Sequence, residues 1–210
     1  MKVVAINGSP NHDGNTSVAL ACMVGELQKE NISTETIHVG GMLLHGCIGC
    51  AHCFKSENNM CVFKDDGLND LMPRIREADG IIIGAPTYFG GIPGTMKCFL
   101  DRYFYASRAT SSLQNKVGTA VVAVRRAGGV DVFNQINNYF NLSDMIIPPS
   151  QYWVVGYGRT KGEISQDAEG MQTLRRNANA MAWQLKMIDA TKGNVPLPRV
   201  EQRQIMNFIR

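Results

Sequence analysis

Short apolar, mostly β-branched runs alternate along the chain with stretches in which apolar residues return every three or four positions. The first run, residues 3–6, breaks at Asn7-Gly8-Ser9-Pro10; Leu20, Met23, Val24 and Leu27 then give helical spacing across 16–30. The same reading predicts strands at 34–39, 80–85 and 117–124 and helices at 68–77, 94–106, 130–140 and 168–188, with a last strand region made from 145–147 and 152–155. Strands apolar without interruption are strands buried on both faces, and helices between them demand right-handed crossovers. The prediction is therefore an α/β three-layer sandwich, a five-stranded parallel sheet in order 2-1-3-4-5 with helices on both faces. Ligands of such sheets sit beyond the carboxyl ends of the strands, which directs attention to the loops after strands one, three and four. Residues 40–66 follow neither period and read as a long Gly- and Cys-rich insertion; irregular segments of that length are usually functional.

Composition changes this picture in two places. With 210 residues, 44% hydrophobic and 19% charged, the chain reads as one globular domain over 1–190. Residues 191–210, with Pro196 and Pro198, are too polar for a core and are expected to pack on a partner subunit. The net charge of +3 is too small to imply nucleic acid or a membrane surface as a partner. No stretch approaches the ~20 apolar residues of a membrane span, and the expected location is cytoplasmic. The second change comes from the six cysteines: Cys47, Cys50, Cys53 and Cys61 are clustered, while Cys22 and Cys98 stand alone in predicted helices and read as small buried hydrophobes. In a reducing compartment a cluster of this kind points to metal or redox chemistry rather than to disulfides.

The segment Gly8-Ser9-Pro10-Asn11-His12-Asp13-Gly14-Asn15-Thr16-Ser17 joins the first strand to the first helix. A phosphate at a helix N-terminus needs inward N–H groups, glycines that let the chain turn and small polar side chains, which makes Ser9, Pro10, Asn15, Thr16 and Ser17 candidate contacts. Neither a Gly-Lys-Ser/Thr ending nor a Gly-x-Gly-x-x-Gly pattern is present, so one terminal monophosphate is the expected ligand. The plainer alternative is a turn followed by a helix cap. After the third strand come Pro86, Thr87, Tyr88, Phe89, Gly90 and Gly91, a rigid loop bearing aromatics. It suits the edge and face of an isoalloxazine ring, with Tyr88 and Phe89 as ring contacts.

Together, Gly-Ser-Pro…Gly-Asn-Thr and Ala-Pro-Thr-Tyr-Phe-Gly resemble the FMN-dependent NAD(P)H reductase branch of the flavodoxin-like superfamily. The likeness runs over 2–188 and includes Lys97 and Phe99-Leu100-Asp101-Arg102, where Asp101 and Arg102 read as structural. The resemblance implies a flavodoxin-like fold, bound FMN and a third flavin-contacting loop at 124–129. There Gly128 and Gly129 allow a tight turn, while Arg125 and Arg126 either stabilise the reduced flavin or are surface charges.

Cys47-x2-Cys50-x2-Cys53-x7-Cys61 can wrap around one cubane, three ligands from the run and one from the more distant thiolate. Tetrahedral zinc, which favours two separated knuckles, and free or oxidised thiols are the alternatives. The spacing resembles the iron-sulfur flavoproteins, and this implies a 4Fe-4S cluster beside FMN. His45 and His52 flank the motif as donors outside the ligand set or as exposed side chains. The implied function is an FMN-dependent oxidoreductase passing electrons to a small acceptor such as oxygen, peroxide or a quinone, in a homodimer or homotetramer, with ferredoxin or NAD(P)H as donor. The flavin would carry the chemistry, and no side chain is assigned a catalytic role. The rival readings are a cluster-free NAD(P)H-dependent FMN, quinone or azo reductase and a non-enzymatic electron carrier. Trp153 lies either over a flavin across an interface or at the end of an edge strand.

Overall fold

The computed structural model describes residues 1–202, 204–206 and 208. Five parallel strands, β1 (Lys2–Asn7), β2 (Ser33–His38), β3 (Gly80–Pro86), β4 (Val117–Val124) and β5 (Val155–Tyr157), form one sheet in the order β2-β1-β3-β4-β5. Between the strands, among the described residues, lie the α-helices α1 (Asn15–Lys29), α2 (His52–Lys55), α3 (Leu68–Arg76), α4 (Gly94–Arg108) and α5 (Gly129–Leu142), and after β5 a 3-10 turn at Glu163–Gln166 leads into α6 (Ala168–Thr191). The fold is the expected α/β flavodoxin-like one.

Side chains on successive strand residues point to opposite faces, and the two faces build two cores. Val4, Ile6, Ile81, Ile83 and Val122 pack with Leu68, Phe99, Tyr103, Ile136 and Phe140 of α3, α4 and α5. Val3, Ala5, Ile82 and Val121 pack with Leu20, Met23, Leu27, Leu174 and Met181 of α1 and α6. Burying each such aliphatic side chain contributes about 1.5–3 kcal/mol, which is why uninterrupted apolar runs became the central strands β1, β3 and β4.

The last strand departs from expectation. Ile146 makes a single bridge to Val117, after which Pro148 and Pro149, lacking N–H donors, carry the chain off the sheet edge. It rejoins at Val155, where β5 pairs with Val122–Val124. The insertion 40–66 is irregular apart from the single turn α2. Beyond α6 the described residues lie outside helices and strands and are exposed; Arg203, Asn207, Ile209 and Arg210 of the expected subunit-packing tail lie outside the described residues. Among the described residues no helix is long and apolar enough to cross a membrane.

Candidate functional site

The loops after β1, β3 and β4 meet at the carboxyl edge of the sheet, rooted by hydrogen bonds that continue the ladder. Gly8 N–H donates to the Gly84 carbonyl at 2.8 Å and Thr87 N–H to that of Ala123 at 3.0 Å. In the first loop Ser9 is buried; its N–H donates to Asn7 Oδ1 at 3.0 Å, its hydroxyl oxygen accepts from Asn11 N–H at 3.1 Å, and its carbonyl lies 2.6 Å from His38 Nε2. Helix α1 then starts at Gly14 without a side-chain cap, and the N–H groups of Asn15 and Thr16 have no acceptor among the described residues. A bare helix N-terminus of this kind suits a phosphate.

The side chains named from sequence divide here. Thr16 is buried in the first turn, and Pro10 is exposed. Ser17 Oγ accepts from Asn7 Nδ2 at 2.9 Å and donates to the His12 carbonyl, so its hydroxyl is engaged within the loop. Asn15 is engaged too: Nδ2 donates to the Thr160 carbonyl at 3.0 Å and Oδ1 accepts from Ile164 N–H at 3.3 Å. The free donors at this helix end are therefore the main-chain N–H groups of Asn15 and Thr16, since the Ser17 N–H donates to the Gly14 carbonyl. Asn15 also ties down a segment between β5 and α6 that the sequence reading did not single out. Glu163 braces that segment by accepting from the Arg159 and Thr160 N–H groups, each at 2.6 Å, and those bonds hold its carboxyl below the ordinary value.

After β3, Tyr88 and Gly91 exchange both backbone hydrogen bonds across a two-residue turn whose apex residues, Phe89 and Gly90, have φ of +50° and +74°. Phe89 is fully exposed at the tip and Tyr88 half-exposed. Thr87 Oγ1 is buried with no hydrogen-bond partner, an unmet polar atom beside Pro86 in the second loop. Gly128 has φ +83°, and a Cβ there would lie 3.0 Å from Gly90 Cα, so the second and third loops touch through bare backbone. Gly129 is buried against Val155 and Val124, while Arg125 and Arg126 are exposed. An uncapped helix end, an unpartnered hydroxyl and a glycine cradle together fit a phosphorylated planar ligand. Trp153 is exposed, edge-on to Tyr152 with ring centroids 4.5 Å apart.

A cavity lies in the insertion. Cys47, Cys50, Cys53 and Cys61 all line it, with His52, Phe63, Arg102, Tyr105 and Ala106. Gly49 and Ala51 take positive φ and turn the chain between the cysteines. Cys47 and Cys50 are exposed and Cys53 is buried; burial and the neighbouring sulfurs push the Cys53 thiol up. Among the described residues, no three acidic, His or Cys side chains stand within joint ligating reach of one ion. The donor set fits a thiolate-bound cluster, in which each sulfur ligates a different iron and no two need reach the same ion.

Cys61 is held differently. Its N–H donates to Asn69 Oδ1 at 2.9 Å, and Asn69 Nδ2 returns bonds to the Cys61 and Phe63 carbonyls, each at 3.0 Å. Its Sγ lies 3.2 Å from Nε of Arg102, whose side chain is fully buried and paired with Asp66. Burial works to raise the Asp66 carboxyl, but the Arg102 hydrogen bonds and charge and the Leu68 N–H outweigh it and hold the group below its ordinary value. Arg102 was read from sequence only as structural; the signal of its importance is a cation inside the buried face Phe99-Leu100-Tyr103-Phe104 of α4, which demands a partner. Asp101 does serve structure, pairing with Lys97 at 2.6 Å and accepting from Tyr139 on α5. His45 stacks on Phe63 at 4.8 Å, and His52 opens α2. Cys22 and Cys98 are half-buried rather than buried, Cys98 facing Gly46 of the insertion.

Comparison with known proteins follows the same two features. A family model described as NADPH-dependent FMN reductase matches residues 1–160. An iron-sulfur flavoprotein of Methanocaldococcus jannaschii is 35% identical over 195 residues, covering 90% of this chain and 99% of that protein. An iron-sulfur flavoprotein of Methanosarcina thermophila is 28% identical over 91% of this chain and 99% of its own length. Among solved structures, RosB bound to 8-demethyl-8-formylriboflavin-5'-phosphate superposes with a TM-score of 0.69 at 17% identity, over 100% of this chain and 94% of that one. An archaeal flavodoxin does so with a TM-score of 0.58 at 15% identity, over 89% and 99%; both are likenesses of fold.

Proposed function

The chain belongs to the NADPH-dependent FMN reductase family, and from that premise we propose that it is a flavin-dependent oxidoreductase of the iron-sulfur flavoprotein type. In this reading it passes electrons through a 4Fe-4S cluster and FMN to a small acceptor such as oxygen, peroxide or a quinone. The observation that carries it is the coexistence of two built features. The sheet edge carries uncapped N–H groups and the unpartnered Thr87 hydroxyl, and a cavity in the insertion is lined by all four thiols. Two relatives that span nearly the whole chain carry the iron-sulfur flavoprotein name.

Within the cradle, Asn15 and Thr16 N–H would hold the phosphate, and Thr87 to Gly91 with Gly128 would face the ring. Bound FMN supplies two-electron and one-electron chemistry; the protein sets access to it and the charge around it. Arg125 and Arg126, exposed beyond β4, would supply positive charge toward the reduced ring. Cys47, Cys50, Cys53 and Cys61 would hold the cluster. In the same reading the chain acts as a cytoplasmic homodimer or homotetramer, with ferredoxin or NAD(P)H supplying electrons.

The family model, described as NADPH-dependent FMN reductase, favours one second reading, an NAD(P)H-dependent reductase whose cysteines bind no cluster. Anaerobic purification separates the two. The proposal expects flavin bands overlaid on broad cluster absorption near 400 nm, with iron and acid-labile sulfide in equal amounts. Flavin bands without iron or sulfide assign the chain to the second reading.

A further inference from the structure

The four thiols are not equivalent. Among the described residues only one of them, Cys61, has its sulfur within hydrogen-bond distance of a cationic side chain. Arg102 spends its remaining donors on fixing that contact: Nη1 on the His45 carbonyl at 3.3 Å and on Asp66, Nη2 on Asp66 Oδ1 at 3.2 Å and the Phe63 carbonyl at 3.4 Å. Its guanidinium carbon lies 5.2 Å from the centre of the Phe63 ring. Asp66 neutralises the charge and α4 supplies the rigid base, so Nε–H points at the sulfur with no freedom to turn away. A guanidinium has donors and no acceptor, so in this contact the sulfur accepts.

Hydrogen bonds to ligating sulfurs draw electron density from a cluster and favour its reduced state. We propose that Arg102 is a positioning residue that fixes Cys61 as the anchored ligand and, through its Nε–H to sulfur bond, raises the cluster's reduction potential. This rests on the reading that the four cysteines hold a cluster. Because Arg stays charged across the physiological range, the effect is independent of pH there. It also distinguishes the ligands: Cys61 is held by a buried cation, whereas Cys47 and Cys50 are exposed.

The test uses anaerobically purified holoprotein. The double variant Arg102→Gln/Asp66→Asn removes the hydrogen-bonding cation and its counter-charge together, leaving no buried unpaired ion. EPR-monitored titration is expected to show its cluster about tenfold harder to reduce at a fixed potential, a shift of about 59 mV downward, with iron and sulfide content retained. Lys64→Gln, which removes an exposed charge from the same loop, is expected to move it less than twofold. A measurement independent of variant folding is pulsed EPR of reduced wild-type protein carrying 15N-arginine, where guanidinium nitrogen coupling to the cluster is expected. Unchanged potential in a fully loaded double variant, or absence of that coupling, overturns the inference while leaving the cluster reading intact. Wild-type protein without iron and sulfide overturns the cluster reading and this inference with it.

Discussion

The loops after β1, β3 and β4 take their shape from the sheet beneath them, whereas the loop after β2 takes its shape from side chains on the helices beside it. The first group is rooted by ladder-like bonds, among them Gly8 to Gly84 and Thr87 to Ala123, and turns on backbone that only glycine or a tight hairpin tolerates. In the insertion, residues 43–50 make no backbone–backbone hydrogen bond among the described residues. What orders its return limb is Asn69, bracketing Cys61 and Phe63, and the buried Arg102–Asp66 pair. A cradle made of backbone is formed before its ligand arrives; a cavity held by a few polar side chains depends on each of them. The two regions should therefore fail separately.

The largest effect is expected from Asp66→Ala. It leaves Arg102 buried and unpaired, and breaking a pair of this kind costs about 3–5 kcal/mol. The return limb is expected to open, so that limited proteolysis cuts within 40–66 and iron content falls severalfold, while the flavin dissociation constant stays within twofold of wild type. Loss of flavin binding in parallel would break the separation. The same pair sets a pH dependence. The folded pKa of Asp66 is held below its ordinary value of about 3.9, so its contribution is fully present above that value and is lost as pH falls through the depressed one. The stability gap between wild type and Asp66→Ala, measured by denaturant titration, should be constant from pH 7 to 5 and shrink below about 4.

This pair also marks where sequence reading stops. The strands β1, β3 and β4 and the turns after them were legible because they rest on local facts: uninterrupted apolar runs, and Gly, Pro and Asn at their ends. The four cysteines were legible as a set by spacing alone. The Arg102–Asp66 contact joins residues 36 apart and was not, since nothing local to either residue names the other. Asn15 and Ser17 illustrate a subtler limit: the residue types suited phosphate binding, yet their side chains are engaged inside the protein, and the free donors are the Asn15 and Thr16 main-chain N–H groups. The edge strand was misplaced because two apolar segments straddle Pro148-Pro149, and pattern alone does not say which side rejoins the sheet.

The second effect sharpens the comparison from the other side. Gly128→Val puts a β-branched residue at φ +83°, with its Cβ 3.0 Å from Gly90 Cα. Strain of this type costs about 1–3 kcal/mol, and relieving it must push the second and third loops apart. Flavin affinity, read by fluorescence titration of the apoprotein, should fall by tenfold or more. Iron and sulfide per chain should be unchanged. A variant that lost its iron and kept its flavin would show that the cradle does not run through Gly128.

The smallest effect tests the phosphate end, and it turns on two substitutions at one position. Asn15→Ala removes the bonds to Thr160 and Ile164, each worth about 1 kcal/mol, and frees the segment between β5 and α6. The exposed Lys161–Asp13 pair adds little to hold it. Stability should drop by about 1–2 kcal/mol and flavin affinity by a few-fold. Asn15→Asp loses the donor to the Thr160 carbonyl but keeps the acceptor for Ile164 and adds a negative charge at the first turn of α1, which by itself favours the helix by about 0.3–1 kcal/mol. If a phosphate occupies that helix end, the same charge repels it. Asn15→Asp should then be the more stable apoprotein of the two and the weaker flavin binder, by roughly tenfold. Stability and affinity moving in opposite directions is an outcome that loosened packing cannot produce; equal flavin binding by the two variants would place the phosphate away from α1.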